Sequence, residues 1–175
     1  MAVEYLAGAT DAFWWRANNY FMYFNPQTNV WQFLPTDFDY TFGNGNRPET
    51  FTKYRDFGQR LPNGKRPYYP LVDKLIYENK EINQKFENIL ITITKGVFNS
   101  AVLNARIDAY VKQIEADVVW DYEIDRSNRP GRDRGWTKAD FYKSLDAHVK
   151  STYQGLKPWI KGRAETVTKQ LGTSA

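Results

Sequence analysis

Two aromatic-rich runs, Tyr20-Phe21-Met22-Tyr23-Phe24 and Val30-Trp31-Gln32-Phe33-Leu34, flank the turn-forming pentapeptide Asn25-Pro26-Gln27-Thr28-Asn29. Strand-favouring runs of this length around such a loop predict a β-hairpin, and Pro35 ends the second strand. In an antiparallel pair the start of the first strand lies beside the end of the second. The hairpin therefore brings Asn18 and Asn19, just before it, close to Asp37 and Asp39, just after it. Asp11, in the preceding loop, can reach the same mouth. Asp37 and Asp39 stand among Phe38, Tyr40 and Phe42. Unpaired charge in so apolar a neighbourhood is expensive, so these carboxylates need a cation, a hydrogen-bond network or solvent. Carboxylate and amide oxygens converging beyond a strand end suit a hard cation, Mg²⁺ or Mn²⁺. The plainer alternative is that Asp11, Asp37 and Asp39 only cap and shape turns.

The remaining residues bound what such a site can belong to. With 175 residues, 42% of them hydrophobic and 17% aromatic, the chain is long enough for one domain with a real core. The net charge of +4 is modest, with basic residues interspersed among 20 acids, and gives no reason to expect nucleic acid as a partner. The absence of cysteine excludes disulfides, zinc-thiolate sites and thiol catalysis. A single histidine, His148, rules out a Ser/His/Asp triad elsewhere, and HExxH, Walker A and EF-hand patterns are absent. No stretch is apolar for long enough to span a bilayer, and the first residues lack the form of a signal peptide.

Along the chain, residues 1–9 read as a helix stopped around Gly8. That helix opens without a cap, as if cut from a longer protein. Residues 43–70 form a long irregular connection, rich in glycine, proline and basic side chains that could meet an anion or simply face solvent. Helices are expected after Pro70, over about 80–96 and over about 100–119, the last capped by Asn99 or Ser100. Their apolar stripes, Ile82, Phe86, Ile89, Leu90 and Ile93, then Leu103, Ile107, Tyr110, Val111, Ile114 and Val118, are assigned to the core. The arginine-rich loop 126–134 could clamp a phosphate or an acidic partner, or stay solvated. A last helical region starts at Trp136 or Thr137, carries Phe141, Leu145, Val149 and Tyr153 on one face, and holds His148 at mid-helix in a structural role. The expected fold is α+β and mostly α: one domain over 1–170, one hairpin, about four to five bundled helices, and a frayed tail at 171–175.

Taken together, Asp11, Asn18-Asn19-Tyr20, the run Trp31 to Gly43 with its Asp37-Phe38-Asp39, and Trp120-Asp121 resemble the CotH (spore coat protein H) kinase family. The likeness is strongest to its fungal surface-protein branch and extends from near residue 1 to about 160. The resemblance implies a protein-kinase-like C-terminal lobe whose hairpin carries the metal site. It also implies Mg²⁺- or Mn²⁺-dependent phosphoryl transfer from ATP to Ser/Thr hydroxyls of a protein, such as a spore coat or surface protein. Asp11 then falls at the catalytic-loop aspartate, which orients the substrate hydroxyl and accepts its proton. Asn19 or Asn18 matches the catalytic-loop asparagine, and Asp37 the metal-binding aspartate. Asp39 supports the metal or only hydrogen-bonds nearby. The nucleotide-covering lobe, with its glycine-rich loop and phosphate-binding lysine, has no counterpart here, so the kinase is incomplete in this chain and no nucleotide-binding residue is assigned. The fungal branch implies the alternative of an invasin-like adhesin that engages a host-cell receptor without catalysis. Either way, the resemblance places the full-length protein on a spore coat or fungal cell surface.

Overall fold

The computed structural model describes residues 1–45, 50–125, 135–150 and 152–172. The arginine-rich loop 126–134 lies outside the described residues. In order, the elements are α1 (Ala2–Ala7), α2 (Phe13–Arg16), β1 (Tyr20–Asn25), β2 (Val30–Pro35), α3 (Pro70–Val72, continuing as a π-helical turn Asp73–Glu78), α4 (Lys80–Gly96), α5 (Ser100–Glu123), α6 (Lys138–Asp146) and α7 (Leu156–Gln170). The protein is thus mostly helical with one antiparallel hairpin, as an α+β reading requires. Each boundary has a local cause. Gly8 takes a left-handed conformation (φ 62°) and closes α1, which a side chain with Cβ adopts only at a cost. Asn79 and Asn99 cap α4 and α5 by accepting from Ile82 N and Val102 N. Thr137 and Asp140 form a reciprocal capping box on α6.

The core is a cluster of rings. Trp14 is enclosed by Tyr5, Phe57, Tyr77 and Phe86, with ring centroids 5.3–6.3 Å apart. Each such ring taken out of water contributes about 1.5–3 kcal/mol. The polar edges of the cluster are satisfied in series: Trp14 Nε1 donates to the Tyr77 hydroxyl (3.2 Å), and that hydroxyl donates to Tyr54 O (2.8 Å). The Tyr54 hydroxyl in turn donates to Glu87 Oε1 (2.6 Å). Burial pushes the Tyr77 phenol up to about 12. On the other side, the guanidinium of buried Arg163 lies over the Tyr5 ring (4.8 Å) and the Trp159 ring (5.1 Å) and donates to Thr52 O (2.9 Å).

Three sequence expectations require correction. The apolar stripe of α5 is core only in part: Leu103 and Ile107 pack, partly buried, against the core cluster. None of its residues is fully buried, and Tyr110, Ile114 and Trp120 are exposed. The apolar residues of α5 are spread around the helix rather than gathered on one side, so α6 and α7, against which it packs, cover only part of them. Ile89 of α4 is exposed as well, while Phe86 and Leu90 are buried.

The last helical region is two helices, and His148 lies in the turn between them, its Nδ1 against Thr152 O. Thr152 breaks the run. Its hydroxyl accepts from Val149 N (2.9 Å) and donates to Val149 O (2.8 Å), a local alternative to helical bonding. Gly155 then passes so close to the end of α6 that a Cβ would sit 2.2 Å from the Asp146 carbonyl carbon.

Finally, the irregular connection 43–70 supplies core. Tyr54 and Phe57 are buried, Arg66 pairs with Asp73, and Arg55 lies over the Tyr54 ring (5.2 Å). Those two arginines make contacts within the fold.

Candidate active site at the base of the hairpin

The segment between α1 and β1 is bent tightly around Asp11. Ala17 (φ 55°) and Asn19 (φ 52°) both take left-handed backbone conformations and turn the chain from α2 into β1. That turn folds the two asparagine amides back onto Asp11. Asn19 Nδ2 donates to both Asp11 O (2.9 Å) and Asp11 Oδ2 (3.0 Å). Asn18 Nδ2 donates to Asp11 Oδ1 (3.3 Å), and Arg16 approaches the same oxygen at 3.5 Å. The Arg16 contact is partly exposed and contributes little to stability. The amides matter more, because they fix the carboxylate's orientation. The segment is anchored below by Trp14, whose backbone N–H donates to Glu4 Oε2 (3.0 Å).

The hairpin register is Tyr20↔Pro35 through Asn25↔Val30. It continues one step past the strands, where Thr36 N donates to Asn19 O (2.9 Å). Asp37 follows at φ 55° and begins the Asp37-Phe38-Asp39 loop. The far end of this loop is also held. Thr10 N donates to Tyr40 O (3.1 Å) and Phe42 N to Ala7 O (2.7 Å), while Thr41 Oγ1 donates back to Phe38 O (2.7 Å). Asn44 Nδ2 donates to Asp39 O (3.0 Å). Gly43 (φ 82°) lies against Trp159, where a Cβ would stand 2.7 Å from the ring. The loop is thus pinned on both sides by the residues that flank Asp11. Within the hairpin, Tyr20 and Phe33 stack (5.4 Å) and dock on Phe13 at 4.8 and 5.4 Å, which holds its base to the body.

The structure therefore brings Asp11, Asn18 and Asn19 into direct contact and holds Asp37 and Asp39 on an exposed loop beside them. Among the described residues no three carboxylate, histidine or cysteine side chains close into a cluster that could hold a metal. A hard cation would instead draw on a mixed oxygen set. The Asn19 amide nitrogen is taken by Asp11, which leaves its amide oxygen as the atom such an ion could use; oxygen donors of this kind are those that Mg²⁺ or Mn²⁺ takes. Sequence reasoning missed Arg16, whose contact with Asp11 needs the α2 turn, and the backbone of Ala7 and Thr10, which carries no side-chain signal.

A family profile described as CotH kinase protein matches residues 1–167, and the chain belongs to the CotH kinase family. Among curated proteins of Rhizopus delemar it is similar to Invasin CotH2, 33% identical over 98% of this chain and 30% of the relative. It is also similar to Invasin CotH7, 33% identical over 83% of this chain and 24% of the relative. Spore coat protein homolog 1 is 27% identical over 99% of this chain and 29% of the relative. The chain spans less than a third of the length of these relatives. No solved structure matches it.

Proposed function

We propose that this region is the part of a metal- and ATP-dependent protein kinase that positions the substrate hydroxyl. The observation that carries the reading is the pair of bonds from Asn19 Nδ2 to the backbone and side chain of Asp11, at the base of a hairpin whose other strand leads directly into Asp37. Phosphoryl transfer asks the protein mainly for positioning and electrostatics. Asp11, held from two sides by amides, would orient a Ser or Thr hydroxyl and accept its proton. Asp37 and the Asn19 amide oxygen would hold Mg²⁺ or Mn²⁺, whose charge offsets that of the transferred phosphate. Family membership supports the same assignment. Thermal unfolding with Mn²⁺ and ATP tests it. Saturation at about a hundred times Kd would stabilise the parent chain by about 2.7 kcal/mol, and Asp37→Asn is expected to abolish that gain. Equal behaviour of parent and variant would overturn the reading.

A second reading is favoured by a separate observation. The hairpin exposes Phe21 (65%), Trp31 (62%), Tyr23 and Leu34 along its length, and relatives such as Invasin CotH2 and Invasin CotH7 carry the name invasin. Exposed aromatic groups of this kind anchor protein partners. On this reading the chain is a surface adhesin of a spore coat or fungal cell surface, and its host-protein binding is lost with Trp31→Ala but unaffected by Asp37→Asn.

A further inference from the structure

Thr41 stands where the loop carrying Asp37 and Asp39 rejoins the body of the protein. On either side of it the backbone is bonded to α1 and the segment that follows: Thr10 N donates to Tyr40 O (3.1 Å) and Phe42 N to Ala7 O (2.7 Å). The Phe42 ring adds a second anchor, edge-on to Trp159 (5.6 Å) and parallel to Phe98 (6.3 Å). Thr41 is buried, whereas Asp37 and Asp39, a few residues earlier, are exposed. One side chain joins the fixed part to the exposed part. Thr41 Oγ1 donates to Phe38 O at 2.7 Å, near the optimum for a hydroxyl donor. Phe38 O belongs to the planar peptide unit between Phe38 and Asp39, so holding it holds the path of the chain from one carboxylate to the other. A further side-chain bond, from Asn44 Nδ2 to Asp39 O (3.0 Å), is exposed and competes with water, while the Thr41 bond is the more sheltered of the two.

The residue type suits the task. Branching at Cβ restricts χ1 and keeps the hydroxyl aimed in one direction. A buried hydroxyl that lost its acceptor would be costly, so the bond persists. At the near end of the loop, Thr36 N is bonded to Asn19 O, and Asp37 then takes a left-handed conformation (φ 55°) that residues other than glycine adopt sparingly. Closure of the far end through Thr41 helps to hold Asp37 in it. We infer that Thr41 is a positioning residue for the Asp37 carboxylate: without touching the ion, its hydroxyl sets how tightly the loop takes Mg²⁺ or Mn²⁺. This rests on the reading of Asp37 as a metal ligand. Removal of a group that orients a ligand from behind commonly weakens metal binding by about 10–100-fold.

Titration of the full chain with Mn²⁺, followed by the electron paramagnetic resonance signal of the free ion, tests this. Thr41→Val keeps the shape and removes the hydroxyl, and should bind about tenfold more weakly. Thr41→Ala, which sets no second methyl against Phe38 O, should weaken binding likewise. Thr41→Ser restores the donor and should recover most of the affinity. Without metal, the ¹H–¹⁵N signals of Phe38 and Asp39 should move in Thr41→Val and return in Thr41→Ser, while that of Asn19 stays in place. Asp37→Asn, run in parallel, should lose Mn²⁺ binding and reports on the metal reading itself. Binding by Thr41→Val and Thr41→Ala as tight as that of the parent, or by Thr41→Ser as weak as theirs, would overturn this inference and leave the metal reading standing. Mn²⁺ uptake absent from the parent, or unchanged in Asp37→Asn, would overturn both.

Discussion

Glu4 is a fully buried carboxylate that ties α1 to the Asp11 segment, accepting from Trp14 N through one oxygen while the other has no partner among the described residues. Burial raises its carboxyl above the ordinary 4.5, against the opposing pull of the nearby amino terminus and the Trp14 N–H. An acid whose folded value is raised adds stability below its unfolded value and loses it as pH rises through the folded one. Glu4→Gln keeps the acceptor and removes the buried charge, so its Tm should exceed that of the parent at neutral pH, the difference closing near pH 4. Glu4→Ala leaves the Trp14 N–H buried without an acceptor and should cost about 1–3 kcal/mol. Parallel thermal melts of the two variants across pH check both signs. At this scale the sequence shows which residues carry charge. That Glu4 is buried follows from α1 being enclosed by α4 and α7, which no local pattern announces.

α6 depends on a polar arrangement rather than on a buried face. The Asp140 carboxylate receives Lys150 Nζ at 2.8 Å and the Thr137 backbone N–H at 2.9 Å, and the Lys150 ammonium also lies over the Trp136 ring (5.1 Å). The Lys150 contact first, and Thr137 second, lower the Asp140 carboxyl from its ordinary 3.8 to about 2. An acid depressed in the folded state contributes stability above its unfolded value, here about 4, and loses it as pH falls through about 2. The helical signals of α6 should therefore weaken between pH 4 and 2. In an NMR titration, Lys150→Met should return the Asp140 carboxyl most of the way to its ordinary value, and Thr137→Ala part of the way. The start of this helix was legible, since Thr137 lies three residues before Asp140. Its end was not: the periodicity of Leu145, Val149 and Tyr153 runs on, and only the Ser151-Thr152, Gly155 and Pro158 breakers argued against one long helix.

Across the whole molecule, aromatic content divides into two populations. Trp14 is fully buried within a ring cluster, whereas Trp31, at the hairpin tip, stands 62% exposed. Trp14→Ala should cost about 3–5 kcal/mol through lost packing and a cavity. Trp31→Ala should stay within about 0.5 kcal/mol, so that any larger effect it has on partner binding belongs to the interface. Chemical denaturation of both variants beside the parent checks the contrast. Composition counts these tryptophans alike, and strand alternation does not separate them. Phe33 and Trp31 share one face of the hairpin, yet only Phe33, at its base, is covered by Phe13.

The sequence by itself determined the elements whose causes are local. The hairpin follows from two strand-forming runs around five turn formers, the stop of α1 from Gly8, and the caps of α4 and α5 from Asn79 and Asn99. It also determined the family, through the Asn-Asn-Tyr and Asp-Phe-Asp patterns at the ends of that hairpin. Tertiary structure alone decided how those patterns meet. The bonds from Thr10 to Tyr40, from Ala7 to Phe42 and from Asn19 to Asp11 join residues that the chain separates by up to 35 positions. It also decided which apolar stripes became core, because burial depends on what lies opposite a face. α4 gathers its apolar residues on one face, whereas α5 spreads them around its circumference and leaves much of that surface in water.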